Sequence, residues 1–374
     1  MSGSTANASC GRDLRLDLFR GLANWAIFLD HTPHEILSWL TVRNYGFSDA
    51  ADLFVFISGY TAALVFLRIL REKGYVAAAA KVSKRVFQLY AAHLTVLLVY
   101  AGAIVWVSYI SGDPDDVNQF NVAVFADAPF SALAHALLLT YKPVNLDVLP
   151  LYIALLGAFI PGMWLLARKP SLTLALSMCL YLASRHFGWN LPCVHAGVWF
   201  FNPFTWQLLF FLGAWVGFGA AIPIGPILRS DVVFWIAVGV LGLTLAIALQ
   251  AQFGVLPAWI PNPFDPAHKT NLAPSRIIHF VALAIVANNL LRPDSPALRW
   301  RALAPMIACG KRSLPVFCFG VVLSFCAHAL IELGSNALWV QLTAGLAGLA
   351  LMTTVAYAMA GRLKPPPMRI GRTA

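Results

Sequence analysis

The 374-residue chain is 59% hydrophobic and only 11% charged, and its mean hydropathy is +0.72. Soluble domains usually contain about 25% charged residues, so this composition excludes a soluble globular protein and favours a chain embedded in lipid. The net charge of +10 would suit a nucleic-acid-binding protein, but the basic residues are grouped between apolar segments. Their distribution therefore indicates membrane topology, and we expect no nucleic-acid partner.

Apolar segments follow one another along nearly the whole chain. They lie at about residues 16–40, 49–70, 83–110, 147–167, 171–188, 203–221, 232–251, 276–291, 312–331 and 336–359. Most have the roughly 17–25 residues that cross a bilayer as a helix. The sequence therefore predicts an all-α polytopic membrane protein, a bundle of about ten transmembrane helices. We expect one domain over residues 1–374, with a core at about 12–360 and a basic tail at 361–374.

The basic residues predict how the chain is oriented. With the N-terminus in the cytoplasm, twenty of the 26 lysines and arginines fall on the cytoplasmic side, and Arg20 lies within the first segment. The opposite side receives only Arg43, Lys142, Arg185, Lys269 and Arg276. Because cytoplasmic loops are enriched in basic residues, we expect both termini in the cytoplasm.

The first apolar segment contains ionisable residues, which are costly in lipid and usually mark function. Arg20 and His31 are eleven residues apart, so on a helix they share a face and lie about 16 Å apart along the axis. Arginine binds phosphate groups, and a neutral histidine can take a proton from a hydroxyl. Asp30 adjoins His31 but points about 100° away. His34 and Glu35 are expected on the face of His31.

Structural roles remain open for these residues. Arg20 can extend to the membrane surface and pair with Asp17, and His31 can be a buried histidine satisfied within the bundle. Their shared face, with Asp30 beside them, favours a functional pair.

Further polar residues stand at the ends of later segments. Asp49 and Asp52 open the second segment, where carboxylates favour a helix N-terminus in any case. Asp147 opens the fourth, where capping alone would explain it. Arg276 and His279 lie one turn apart at the start of the eighth. These positions predict either helix ends or a site on the side away from the cytoplasm.

Two other patterns indicate structure. Gly213, Gly217 and Gly219 form a small-residue stripe of the kind that lets helices approach closely. The six cysteines show no CxxC spacing, so we expect free thiols and no metal site.

Six sequence blocks make the chain recognisable. They are RDLRLDLFRGLANWAIFLDH, RNYGFSDAADLFVFISGYTAA, KRVFQLYAAH, LDVLPLYI, NPFTWQLLFFLGAW and GKRSLPVFCFG. From about Arg12 to His328 the chain resembles the OpgC family, the inner-membrane enzymes that succinylate osmoregulated periplasmic glucans. More widely it is similar to the type-3 transmembrane acyltransferases. Their first helix carries a basic residue, ten further residues and a histidine, and Arg20 and His31 meet that pattern.

The resemblance implies an O-acyltransferase of the bacterial inner membrane. A cytoplasmic acyl-CoA, either succinyl-CoA or another short acyl-CoA, would be the co-substrate, and a periplasmic β-glucan would be the acceptor. No cofactor would be bound permanently. His31 would act as general base in a direct transfer, and the remaining catalytic candidates are Asp30, Asp147 and His279.

The resemblance also implies where the substrates bind. The donor phosphates are expected near Arg20, Lys84, Arg85, Lys311 and Arg312. The glucan is expected near Asp49, Asp52, Arg276 and His34.

Other classes of membrane protein remain open. A secondary transporter or flippase for a glycan or small anion also carries charges at mid-membrane, but typically with inverted repeats and paired broken helices. No such repeat is visible in this sequence. A sensor or purely structural membrane protein is disfavoured by the number of ionisable residues in the apolar segments.

Overall fold

A computed structural model describes residues 13–112, 115–194 and 196–361. The predicted basic tail, apart from Gly361, lies outside the described residues. The expectation of free thiols is confirmed for Cys179, Cys193, Cys309 and Cys318, and also for Cys326.

Helices dominate the described chain, which is 78% helical. Its first half contains Leu14–Asp30 (α1), Ala50–Ala62 (α2), Arg68–Ser111 (α3), Asp115–Gln119 (α4), Ala123–Asp127 (α5), Pro129–Leu137 (α6), Val148–Arg168 (α7) and Pro170–Phe187 (α8). A short antiparallel hairpin follows, with strands Pro192–Cys193 (β1) and Gly197–Val198 (β2). The second half contains Pro203–Gly217 (α9), Gly225–Leu228 (α10), Asp231–Gln252 (α11), Pro266–Thr270 (α12), Pro274–Leu290 (α13), Ala304–Lys311 (α14), Ser313–Leu333 (α15) and Leu338–Gly361 (α16).

The prediction of an α-helical membrane protein is confirmed. Within the described residues, five helical stretches are long and apolar enough to cross a membrane. The number is six if α9 and the segment at 222–228, which meet at a bend of 81°, count as one span. The second and third predicted segments are continuous from Ala50 to Ile110, joined by a π-helical turn at Ala63–Leu67. Gly74, with φ of 80°, interrupts the helical geometry near the start of α3.

The first predicted segment ends earlier than expected. We predicted an apolar run to about residue 40, but α1 stops at Asp30 and a 3-10 helix begins only at Ile36. Pro33 explains the break, because the residue before a proline is disfavoured in the α conformation. His34 then has a positive φ of 60°, so the expectation that His34 and Glu35 continue the His31 helix face is wrong.

Glycines bring α1 and α2 close to their neighbours. A Cβ on Gly310 of α14 would overlap the Asp17 carbonyl of α1, and one on Gly213 of α9 would overlap the Phe56 carbonyl of α2. Gly217 likewise abuts Tyr60. The packing role predicted for Gly213 and Gly217 is confirmed. Since α1 also packs against α2 and α15, three neighbouring helices hold it in place.

Candidate functional site

Helix α1 presents its two predicted residues to two different cavities. Asp13 caps its start by accepting a hydrogen bond from the Arg15 amide at 2.9 Å. His31 caps its end, where its amide donates to the Ile27 carbonyl at 3.0 Å. Arg20 lines one cavity and His31 lines another, and the two cavities share no lining residue among those described. We call them the Arg20 cavity and the His31 cavity.

The His31 cavity is large and mixes polar with aromatic side chains. Its volume is about 830 Å³. The aromatic rings that line it belong to Trp39, Phe47, Phe120, Phe200 and Phe264. Its ionisable side chains are Asp30, His31, His34, Glu35, Arg43, Asp49, Asp265, Lys269 and Arg276. The predicted residues Asp30, His31, His34, Asp49 and Arg276 therefore meet at one cavity.

A buried ring nitrogen of His31 faces no hydrogen-bond partner among the described residues. Its Nδ1 atom is buried and makes no hydrogen bond with the described residues. Asp30 does not supply that bond, since its carboxylate accepts a 2.7 Å hydrogen bond from the Thr41 hydroxyl. The Arg43 guanidinium donates to the Asp30 carbonyl at 3.1 Å. Asp30 thus joins the end of α1 to the 41–43 segment.

Four charged residues form a buried cluster beside the cavity. Asp49 and Asp52 form a capping box at the start of α2. The Asp49 carboxylate lies 2.7 Å from the Lys269 ammonium and 3.2 Å from the Arg276 guanidinium, which also pairs with Asp52. The two aspartates therefore cap the helix, as carboxylates at a helix N-terminus are expected to do, and they also pair with cations. Asp52 itself is fully buried and does not line the cavity.

His279 lies behind the cavity wall. Its Nδ1 atom accepts a hydrogen bond from the Ser48 amide at 3.2 Å and lies 2.6 Å from the Ser48 hydroxyl. The amide can only donate, so the ring proton of the neutral histidine is on Nε2. Gly46, Phe47 and Ser48 line the cavity, but His279 does not. This placement suits a residue that holds the 46–48 segment.

Gly46 makes room for the His279 ring, since a Cβ at this position would overlap the imidazole. We expect Gly46→Ala to destabilise the protein by about 1–3 kcal/mol, because a crowded interior must shift to accept the methyl group. Thermal unfolding in detergent measures the loss. In a His279→Ala background the obstructing ring is absent, so Gly46→Ala should cost less stability there than in the wild-type protein. An equal cost in both backgrounds would contradict the assignment.

Asp147 also stands outside the cavity lining. Its carboxylate lies 3.7 Å from the Lys142 ammonium, whose side chain is only 1% exposed and sits 3.6 Å from the centre of the Trp199 ring. Burial raises the pKa of Asp147 to about 6, against the opposing effect of Lys142, and burial lowers the pKa of Lys142. Its neighbours Val144 and Asn145 do line the cavity, so the pair supports that part of the wall.

The Arg20 cavity is basic. Its volume is about 380 Å³, and its lining includes four cations, Arg20, Lys81, Lys84 and Arg85, but no aspartate or glutamate among the described residues. Lys81, Lys84 and Arg85 share one face of α3, because residues three and four apart are neighbours on a helix. The Arg20 guanidinium also donates to the Thr61 hydroxyl. Lys311 and Arg312, the other two residues expected at the donor phosphates, do not line this cavity.

An apolar septum lies between the two cavities. On α1, Ile27 stands between Arg20 and His31, and on α2, Phe54 stands between Asp49 and Thr61. The Phe54 ring lies 6.5 Å from the ring of Tyr152, which lines the Arg20 cavity, and 5.9 Å from that of Phe317. We call Ile27, Phe54 and Phe317, which are all buried, the septum.

Lys81 and Lys269 were not singled out as site residues by the sequence. Lys81 could have been found, since it stands three residues before Lys84 on a helix. Lys269 lies in the short helix α12, within a proline-rich stretch that has no periodicity. Its carbonyl accepts a 3.0 Å hydrogen bond from the Trp206 indole, which fixes it beside the cavity. That contact joins two distant parts of the chain and has no local signature.

Comparison with known proteins identifies the family. The chain matches the family model described as OpgC protein over residues 12–363. Searches of curated proteins and of solved structures return no match. The matched region contains both cavities and the septum between them. Because the match covers nearly the whole chain, this protein belongs to the OpgC family.

Proposed function

We propose that the protein is a membrane O-acyltransferase that moves a short acyl group, succinyl by family resemblance, from cytoplasmic acyl-CoA to a hydroxyl of a periplasmic β-glucan. One observation carries the proposal. One helix, α1, presents a cation to a basic cavity that has no acidic lining residue in the described part of the chain, and its C-terminal cap presents a histidine to a separate polar and aromatic cavity. That arrangement suits an anionic donor and a sugar acceptor that approach from opposite sides.

The proposed topology has ten spans in the bacterial inner membrane, with both termini in the cytoplasm. It places Arg20 at the cytoplasmic end of α1 and His31 at the periplasmic end. The basic loops support this orientation. The helices that fall short of the length or apolarity of a lone span, such as α1 and α13, would cross the membrane within the bundle.

The proposed reaction needs no added cofactor, because each bond that breaks is matched by one that forms. His31 takes the proton from a glucan hydroxyl, and the hydroxyl oxygen attacks the thioester carbon. The carbon–sulfur bond breaks, the thiolate of coenzyme A takes a proton from the histidine, and an ester remains on the glucan. We favour direct transfer over an acyl-enzyme. His279 and Asp147 then position the cavity wall, and Asp30 positions the end of α1.

The His31 cavity suits a carbohydrate. Its aromatic rings offer flat apolar surfaces, and the amide side chains of Gln119, Asn145 and Gln252 offer donors and acceptors for hydroxyl groups. Binding sites of this kind combine apolar walls with a few placed polar groups. Asp49, Arg276 and His34 add charged and polar groups to the same surface.

The Arg20 cavity suits the phosphates of coenzyme A. We expect the double variant Lys84→Ala/Arg85→Ala to raise the KM for acyl-CoA by about 10- to 100-fold, because hydrogen bonds to charged groups contribute about 1.5–3 kcal/mol. Initial rates at saturating glucan measure the change. Lys73→Ala is the matched control, since this exposed lysine lies on the same helix, α3, but does not line the cavity. A KM equal to that of the control would contradict the donor site.

The function itself is tested with purified protein, labelled succinyl-CoA and a linear or cyclic β-glucan. Label in the glucan as an alkali-labile ester is the expected result. In vesicles, movement of an anion or glycan across the membrane without any labelled ester would instead identify a transporter. That second reading is kept because two separate cavities with buried apolar residues between them are also the arrangement of a carrier.

A further inference from the structure

Three cations line the His31 cavity, and they differ in how they are neutralised. Lys269 and Arg276 pair with Asp49, and Arg276 also pairs with Asp52. Arg43 has no carboxylate within 4.0 Å among the described residues. Arg43 therefore brings to the cavity a guanidinium that makes no direct ion pair, although the Asp30 carboxylate lies near enough to interact with it at longer range.

The backbone holds this guanidinium next to the base. Arg43 lies in the 3-10 turn Val42–Asn44, and its Nη1 atom donates to the carbonyl of Asp30 at 3.1 Å. That carbonyl belongs to the peptide bond that joins Asp30 to His31. The Thr41 hydroxyl bonds the Asp30 carboxylate at 2.7 Å, so two contacts fix the turn against the end of α1. The other N–H groups of Arg43 make no hydrogen bond with the described residues.

We propose that Arg43 selects the acyl group by binding a carboxylate at its far end. A guanidinium presents two parallel N–H groups that match a carboxylate. Since Arg43 is anchored at the peptide bond of His31, an acyl group whose carbonyl lies at the imidazole would place a carboxylate a few atoms away within reach of the guanidinium. The inference rests on the proposed function and assigns donor selectivity to one residue.

A purely structural role for Arg43 predicts a different result. The carbonyl at the C-terminal end of α1 gains from a nearby cation, so losing Arg43 could loosen the turn. That effect would lower the transfer of every acyl group alike. Selection of a carboxylate instead changes the ratio between a charged and an uncharged donor.

The test measures kcat/KM for succinyl-CoA and for butyryl-CoA, which carries a methyl group in place of the carboxylate. We expect Arg43→Gln to lower the succinyl-to-butyryl ratio by about 10- to 100-fold. Arg43→Lys keeps the positive charge but lacks the two parallel N–H groups of the guanidinium, so it should give an intermediate ratio. Arg185→Gln is the matched control, because this exposed arginine also donates to a backbone carbonyl, that of Asn271 at 2.9 Å, but does not line the cavity.

The ratio of kcat/KM for the two donors tests the role of Arg43, and the activity of the wild-type protein tests the proposed function. A ratio in Arg43→Gln equal to that of wild type overturns the assignment and leaves the acyltransferase standing. If Arg43→Gln does not fold, an unchanged ratio in Arg43→Lys overturns it in the same way. Wild-type protein that transfers neither acyl group to a glucan overturns the proposed function, and the inference falls with it.

Discussion

His31→Gln should lower the rate of transfer to the glucan by about 10²- to 10⁴-fold, the range that a positioned general base contributes. Glutamine fills similar space but cannot take a proton from the hydroxyl. The affinity for the donor should stay unchanged, because Arg20 and the basic face of α3 belong to the other cavity. Single-turnover transfer of label from succinyl-CoA measures the chemical step apart from binding.

A second histidine serves as the control for this substitution. His186 is exposed in the last turn of α8 and does not line the His31 cavity, so His186→Gln should transfer at the wild-type rate. Comparable rates for the His31 and His186 variants, with both proteins folded, would remove His31 from the chemistry. The cavity would then need another base, for which Asp49 and Glu35 are the nearest candidates in the same lining.

Arg276→Met should cause the largest loss of stability of any single change considered for this chain. The Arg276 side chain is 7% exposed and its partner Asp52 is 0% exposed. Removing the guanidinium leaves the Asp52 carboxylate buried without its cation, which costs roughly 3–5 kcal/mol. Denaturant titration in micelles measures the free energy of unfolding, and we expect it to fall by that amount.

The double variant Asp52→Asn/Arg276→Met tests the cause of this loss. It removes both charges, while Asp49 keeps Lys269 at 2.7 Å, so most of the stability should return. Methionine also fills part of the volume left by the arginine stem. If the single and double variants lose the same free energy, charge compensation does not explain the role of Arg276.

Local periodicity was sufficient to predict the helix that matters most. Their spacing predicts Arg20 and His31 on one helix, and the structure places Arg20 within α1 and His31 at its C-terminal cap. The same reasoning failed beyond Asp30, because apolar composition continued to about residue 40 while Pro33 had already broken the helix. A composition signal cannot distinguish a spanning helix from an apolar loop packed on the end of one.

Contacts between distant segments account for what the sequence could not predict. Arg276 meets Asp52 across 224 residues, and the Ser48 amide reaches His279 across 231. No spacing rule connects residues so far apart in the chain. The sequence therefore singles out Asp52, Arg276 and His279 individually but does not predict which residues they contact. For His279 and Asp147, family resemblance suggested catalytic roles, but only the packing reveals that neither side chain lines the cavity.

The septum of Ile27, Phe54 and Phe317 has an electrical consequence. Electric potential falls mainly across material of low dielectric constant. Where water fills a cavity on each side of the septum, the septum is the material of low dielectric constant that remains between the two cavities. Moving one elementary charge through 100 mV involves about 2.3 kcal/mol. In the proposed orientation, an acyl group that ends in a carboxylate leaves the negative side of the membrane as it passes this layer. In the proposed reaction, the resting voltage of the cell would therefore favour delivery of the acyl group to the sugar.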